Sequence, residues 1–418
     1  MVATVSKAGI LDLRAGDVER CVRCGLCLNA CPTFRVLGEE MDSPRGRIYQ
    51  VGLADRGEIE IGGDFTVHMD RCLDCRACVS ACPSGVPYGA IIERTRAATA
   101  RPSRLERLLL ERVLPFPARV RRAAGLLRFY QRSGLQTVAR RSRVLEWMGL
   151  AGAERLSPVI GGGERYEGAV TAPVRARVAF FPGCAQRALL PEFNAATVRV
   201  LRRQGCEVTV VEEMGCCGAL HVHSGMREFA RALARENIAR LEKVLASADA
   251  VVVNAAGCGA TLKEYAELFE SEPEWEARAQ GVARKVKDVT EFLDALGLRV
   301  DLLGPLAVTA TYQDACHLAH GQGIRNAPRA LLGKIPALEL REMERSDQCC
   351  GSAGTYNLKQ PEIAQALLDD RVGVIAKSGA EIVVTANPGC QMQLASALPG
   401  RVFHVVELLD ASHRAGPR

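Results

Sequence analysis

Aromatic residues are scarce: Phe, Trp and Tyr make up 5% of the 418 residues, with only two tryptophans. Such a composition does not suit a surface on which bases of single-stranded nucleic acid would stack, so no nucleic-acid partner is expected. Long apolar runs are missing too. No stretch approaches the roughly 20 residues of a membrane span. The opening MVATVSKAGILDLRAGD holds no apolar run of signal-peptide length. There is no G-x-G-x-x-G fingerprint and no phosphate loop. The run Gly161–Gly163 lies in a segment rich in loop-forming residues, so bound nucleotide is not expected on this chain. Basic and acidic residues nearly balance, 54 against 48, which names no partner. These absences describe a soluble chain in a reducing compartment, expected to be the cytoplasm. There, clustered cysteines more often signal metal or redox chemistry than disulfides.

Cysteine is what the sequence has in excess, 17 in all. Eight fall within residues 1–100 as two runs, CVRCGLCLNACP from Cys21 and CLDCRACVSACP from Cys72, offset by 51 residues. Each is spaced C-x2-C-x2-C-x3-C-P. In bacterial two-cluster ferredoxins the fourth cysteine of each such run ligates the other cluster. On that rule Cys21, Cys24, Cys27 and Cys82 hold one [4Fe–4S] cluster, and Cys72, Cys75, Cys78 and Cys31 hold the second. Structural zinc sites use pairs of cysteines rather than runs of four, so zinc is the weaker reading here. Small residues such as Gly25 and Ala77 let the backbone come close to a cluster and hydrogen-bond its sulfurs.

Residues 101–143 contain no cysteine but twelve arginines, against Glu106 and Glu111 only. This segment is therefore about +10, which leaves about −4 on the remainder of a chain of +6. Leu105, Leu108 and Leu109, then Leu126, Leu127, Phe129 and Tyr130, interleave with the arginines at helical spacing. Pro115 and Pro117 divide the segment into at least two helices. Three readings are open: a solvated helix face, a docking surface for an acidic protein, or attachment to an anionic membrane surface. Residues 151–175 read as a linker.

The C-terminal half is a duplication. Cys184, Cys216, Cys217 and Cys258 recur as Cys316, Cys349, Cys350 and Cys390 at offsets of 132 or 133 residues. Each copy reads as an α/β unit, with strands expected over 177–183, 207–211 and 250–254, then 307–312 and 382–386. Helices are expected over 191–203, 224–246 and about 362–376. Each cysteine falls past the C-terminal end of a strand, the edge where open α/β sheets gather ligands. The four thiols of a copy can thus converge to hold an iron–sulfur cluster, zinc or a redox thiol pair. Cys206 has no counterpart and is expected to be a buried small hydrophobe. His221, His223 and His317 are candidates for tuning such a site or relaying protons rather than for ligation.

The expected organisation is a helical two-cluster ferredoxin-like domain over 1–100 and an Arg-rich helical connector over 101–175. Duplicated α/β CCG modules follow over 176–300 and 301–418. The segments CVRCGLCLNACPTFRVLGEEMDSPRGRIYQV, RCLDCRACVSACPSGVPYG, FFPGCAQ, GCCGALHVHSG and CCGSAGTYNL together resemble the iron–sulfur subunit of glycolate oxidase. The resemblance implies one subunit of a flavin-dependent dehydrogenase, peripheral on the cytoplasmic face of the inner membrane. FAD-binding partner subunits would oxidise glycolate or another 2-hydroxy acid. This chain would carry electrons towards a quinone or other acceptor. Relatives of this layout serve lactate and glycerol-3-phosphate oxidation and heterodisulfide reduction, so the same relay for those substrates, or disulfide cleavage at a CCG site, are the alternatives. In heterodisulfide reductases the fullest pattern ends in C-x2-C. Here Cys258 is followed by Gly-Ala-Thr and Cys390 by Gln-Met-Gln, so the final cysteine is missing from both copies.

Overall fold

The computed structural model describes residues 10–162 and 165–417. The N-terminal part is built from short helices between the cysteine loops: Pro32–Leu37, Pro44–Asp55, Gly63–Asp70, Ala77–Ser80 and Tyr88–Thr99. Proline opens Pro32–Leu37 and Pro44–Asp55, where its missing N–H costs nothing. The Ser43 side chain accepts from Gly46 N and caps the second of these. One small core joins them, with Leu11, Ile48, Val51, Phe65, Met69, Ile91 and Ile92 packed against Cys72 and Cys78.

The connector forms five helices, Arg104–Arg112, Pro117–Arg132, Leu135–Arg141, Val144–Trp147 and Ala151–Arg155, the last of them within the stretch read as linker. Pro117–Arg132 packs on Cys184–Leu189 of the first module. Leu110 and Val120 are the connector's fully covered apolar anchors over 101–157.

The C-terminal half holds two four-stranded parallel sheets. The first contains β1 (Ala176–Phe181), β2 (Cys206–Val210), β3 (Ala250–Val253) and β4 (Val286–Asp288), ordered β2-β1-β3-β4. The second contains β5 (Val308–Tyr312), β6 (Leu338–Leu340), β7 (Ile382–Thr385) and β8 (Val402–His404), ordered β6-β5-β7-β8. Central strands such as AVVV of β3 are wholly buried, as a parallel sheet covered on both faces requires. In each sheet the chain runs from the first strand to an outer neighbour and returns on the other side. That reversal opens a crevice at the C-terminal ends of the first and third strands.

The modules pack by equivalent surfaces. The helix after the first strand's cysteine in one module lies on the helix after the fourth strand in the other. Pro191–Arg203 meets Val405–Ala415, and Asn326–Leu332 meets Val289–Leu296. This reciprocal arrangement is a two-fold-like interface inside one chain. It buries a continuous core from both modules, including Val200, Leu201, Val289 and Leu293 with Leu331, Leu332, Val405 and Leu409. Arg199 grips Asp410 across it with two bonds of 3.0 and 2.8 Å.

Candidate metal centres

The two N-terminal runs fold alike residue by residue. Arg23 and Gly25 have φ of +56° and +85°, and their counterparts Asp74 and Arg76 have +52° and +60°. Alternating left-handed residues coil each loop so that successive cysteines point to one side. Gly25 adopts this conformation freely, and a side chain there would meet the Arg45 guanidinium. Arg76 adopts it at a cost, offset by ion pairs with Glu93 (2.7 Å) and Glu264.

The thiols line two cavities. Cys21, Cys24, Cys27 and Cys82 border the first with Val22, Leu26, Arg45 and Val86, and Cys78 reaches its wall. Cys31, Cys72, Cys75 and Cys78 border the second with Pro32, Thr33, Arg47 and Tyr88. With Cys78 on the wall between them counted to the second, each cavity gathers three cysteines from one run and one from the other, a donor set that fits a [4Fe–4S] cluster. The sites differ in depth. Cys24 is exposed and Cys21, Cys27 and Cys82 are half-buried, whereas all four thiols of the second site are buried.

Polar groups surround the deeper site. Tyr88 Oη donates to Cys72 Sγ (3.5 Å), and Thr33 Oγ1 lies 3.2 Å from Cys31 Sγ. Arg47, 1% exposed, donates to Thr33 Oγ1, Asp42 Oδ1 and the His68 carbonyl. Burial works against its charge, but Tyr88, Cys72, Cys31 and Asp42 outweigh that and hold its pKa well up. Burial pushes the thiols of Cys75 and Cys78 well up. They become thiolates when a metal displaces the proton.

In each CCG module the thiols sit where the crevice predicts. Cys184 opens the helix after β1, Cys216 and Cys217 lie in the loop beyond β2, and Cys258 is on the helix after β3. Cys316, Cys349, Cys350 and Cys390 hold the equivalent places around β5, β6 and β7. Cys184 is raised first by the thiol of Cys216 beside it, then by burial, and Cys316 by Cys349 in the same way. Cys216, Cys217, Cys349 and Cys350 are also pushed up. For each of these the preceding thiol lowers the value, while the following thiol and burial raise it more. The thiols therefore follow one another in the order 184–216–217–258 and 316–349–350–390. Buried and pushed up, Cys184, Cys216, Cys217, Cys316, Cys349 and Cys350 are poor nucleophiles as free thiols.

Among the described residues, the groups whose ligand atoms all lie within 4.8 Å are Glu39–Asp42–His68 and Asp74–Glu93–His223, and no cysteine set is among them. Tetrahedral zinc with Zn–S of about 2.3 Å needs sulfurs about 3.8 Å apart. The CCG sulfurs are not gathered to that spacing, although successive thiols are neighbours.

The histidines take different places. His221 stacks on Phe229, donates from Nε2 to Leu110 O (2.8 Å) and has Nδ1 3.9 Å from Cys216 Sγ. His317 is half-buried with Nδ1 3.6 Å from Cys316 Sγ, and its pKa is pushed down to about 3 by desolvation. His223 lies further out, with Nδ1 3.0 Å from Asp74 Oδ2 and its ring edge-on to His317. Cys206 is buried at the start of β2 as an apolar member of the common core. Sequence reasoning did not single out Asp74, Thr33, Arg47, Tyr88 or Asn387, whose amide donates to Cys390 Sγ (3.6 Å). Of these, only Asp74 carried a signal, lying inside a C-x2-C loop.

Fold and thiol sets together define an iron–sulfur protein with a two-cluster ferredoxin domain and two cysteine-rich α/β modules. Residues 17–86 match the family described as "4Fe-4S dicluster domain", and 178–263 and 310–395 match "Cysteine-rich domain". Residues 101–157 match "Glycolate oxidase iron-sulfur subunit, linker region". The chain is 37% identical to the probable glycolate oxidase iron-sulfur subunit of Bacillus subtilis, with 94% of each chain covered. It is 35% identical to the glycolate oxidase iron-sulfur subunit of Escherichia coli, with 95% of each covered. Identity to one subunit of the fumarate reductase (CoM/CoB) of Methanothermobacter marburgensis is 29%, over 94% of this chain and 72% of that one. The chain belongs to the family of glycolate oxidase iron–sulfur subunits.

Proposed function

We propose that this chain is the electron relay of a glycolate-oxidising flavoenzyme. Partner subunits carrying FAD oxidise glycolate to glyoxylate. Electrons then pass singly through this chain towards a quinone or another acceptor. The observation that carries the reading is the pair of thiol-lined cavities, one at the surface and one inside, in a chain akin over its length to subunits so named.

Bound [4Fe–4S] clusters supply one-electron chemistry. The chain's own residues hold them and set their surroundings. Cys21, Cys24, Cys27 and Cys82 hold the outer cluster, and Cys31, Cys72, Cys75 and Cys78 the inner one. Ile48, Val86 and Tyr88 wall the outer cavity against water. Tyr88 and Thr33 hydrogen-bond the inner sulfurs, and the Arg47 guanidinium favours the added electron. The eight CCG thiols are read as further iron–sulfur ligands, because each module gathers four thiols at one crevice in a chain that already carries two cluster sites. Burial of seven of the eight also disfavours a free-thiol disulfide reductase.

The connector is read as a membrane-facing surface. Among the described residues, twelve of the 23 exposed large apolar side chains fall within residues 105–150, interleaved with arginines. A merely solvated face would not expose Leu126, Phe129 and Trp147. Basic helices with such a face lie in the interface of anionic lipid.

The test is anaerobic purification from native cells, followed by separate addition of glycolate, D-lactate, L-lactate or glycerol-3-phosphate. Co-purified flavin should bleach, and the paramagnetic signal of reduced clusters should appear, with glycolate. Isolation without any flavoprotein, or reduction by glycerol-3-phosphate alone, would overturn the reading.

A further inference from the structure

The duplicated modules are not placed alike against the ferredoxin domain. Cys75 of the inner ferredoxin site, with Leu73 and Ala77, shares one buried apolar cluster with Cys316 and Cys349 of the second module, closed by Tyr356, Ile363, Ala364 and Leu367. Three bonds fasten this contact. Tyr356 Oη donates to Arg71 O (2.8 Å), Arg35 donates to Gln348 Oε1 (2.6 Å), and His320 Nδ1 lies 2.9 Å from Ser80 Oγ. Gln348 immediately precedes the Cys349–Cys350 pair, so the tether acts on the ligand loop itself.

The first module's thiols face elsewhere. Cys217 packs in that module's own core. The loop carrying Cys216 and Cys217 is closed by the connector, where Gly215 has room for no side chain against Pro115 O and His221 meets Leu110 O. This module reaches the Cys72–Cys75 loop with His223, through Asp74, and not with a thiol.

We propose that the second module's thiols, Cys316, Cys349, Cys350 and Cys390, form the redox station next to the inner ferredoxin cluster, and that the first module's set is not directly wired to it. The proposal rests on the reading of this chain as an iron–sulfur relay, but not on glycolate as the substrate. The station is an iron–sulfur group on those four thiols. One electron leaves the cluster held by Cys31, Cys72, Cys75 and Cys78, and one arrives at this group. No bond forms or breaks and no proton moves. The order of sites is then the exposed outer cluster, the inner cluster and the second module. The outer site, with Cys24, Val22 and Leu26 at the surface, meets the redox partner. Duplication has thus yielded two thiol sets with the same local fold and different neighbours.

The test is a potentiometric titration of the full-length holoprotein with chemical mediators, read by electron paramagnetic resonance. It needs no flavoprotein, so the glycolate reading can fail while this one stands. Cys349→Ser is compared with Cys216→Ser, its counterpart in the first module. Cys349→Ser should shift the midpoint of the inner cluster and slow its spin relaxation, while Cys216→Ser should leave both unchanged. Equal effects from the two variants, or none from either, would overturn the proposal. If Cys349→Ser loses ferredoxin iron, Cys390→Ser takes its place, since it empties the same set from a position outside the Cys75 contact. Its silence would count against the proposal in the same way.

Discussion

At the scale of single residues, the cysteines announce themselves but their surroundings do not. Arg47 is an unremarked arginine in SPRGRIYQ, yet it is buried with Asp42 3.0 Å away and borders the inner thiol cavity. Asp42 is also held by Arg71 (2.9 Å) and lies 3.2 Å from His68 Nδ1, so losing Arg47 would not leave it alone. Replacing one partner of a buried pair typically costs about 3–5 kcal/mol, and the lower end applies here. Arg47→Met should therefore lower the stability of the holoprotein by about 3 kcal/mol. It should also make the inner cluster harder to reduce, because a buried cation no longer offsets the added electron. Thermal unfolding and potentiometric titration check the two effects. An unchanged midpoint would show that the guanidinium does not influence the cluster.

At the scale of elements, long strands and amphipathic helices were legible and short edge strands were not. The helix over 191–203 stands where its pattern put it. The strands expected over 177–183, 250–254 and 382–386 are found as β1, β3 and β7, shorter by a residue or two. The helix expected from 224 starts at Arg227, because Gly225 is left-handed and presses on Arg96 O of the ferredoxin domain. The three-residue strands β4, β6 and β8 escaped notice, since three residues carry no periodicity. Two of them lead into helices capped at equivalent places, by Asp288 and by His404, each with a capping box.

The two caps respond to pH in opposite directions. His404 is buried, with Nε2 3.0 Å from Asn254 O, Val406 N donating to Nδ1 and Glu407 alongside. Burial pushes its pKa from 6.5 down to about 4. The unfolded chain then binds a proton that the folded chain refuses, so stability present above pH 6.5 is lost as pH falls towards 4. The gap corresponds to about 3 kcal/mol at the acid end. Asp288 is pushed up to about 6 by burial and loses stability as pH rises from 3.8 through 6. His404→Gln should accordingly flatten the fall in melting temperature between pH 7 and pH 5. An identical fall in the variant would show that His404 is not the group responsible.

At the scale of the whole molecule, the connector joins the ferredoxin domain to the first module and presents its other face outward. Among the described residues no helix is long and apolar enough to cross a membrane. Attachment through this face would be peripheral and partly electrostatic. The holoprotein should float with vesicles containing phosphatidylglycerol and not with pure phosphatidylcholine, and added salt should weaken the binding. Leu126→Ser with Phe129→Ser should reduce flotation several-fold without loss of iron. Failure to bind anionic vesicles at low salt would leave an acidic protein as the partner of this face.

Spacing and repetition in the sequence determined the local chemistry. Runs of C-x2-C-x2-C-x3-C-P can coil only into ligand loops, and a duplicated set of cysteines beyond strand ends can gather only at a sheet's crevice. Both are short-range consequences of backbone geometry. Which sites become neighbours is a long-range matter. Cys75 lies 241 residues from Cys316 in the sequence, and no periodicity links them. Tertiary packing decided that contact, because the buried faces around Leu73 and Tyr356 can cover their apolar surface only against each other. It also decided that the two copies of one module stand in different surroundings.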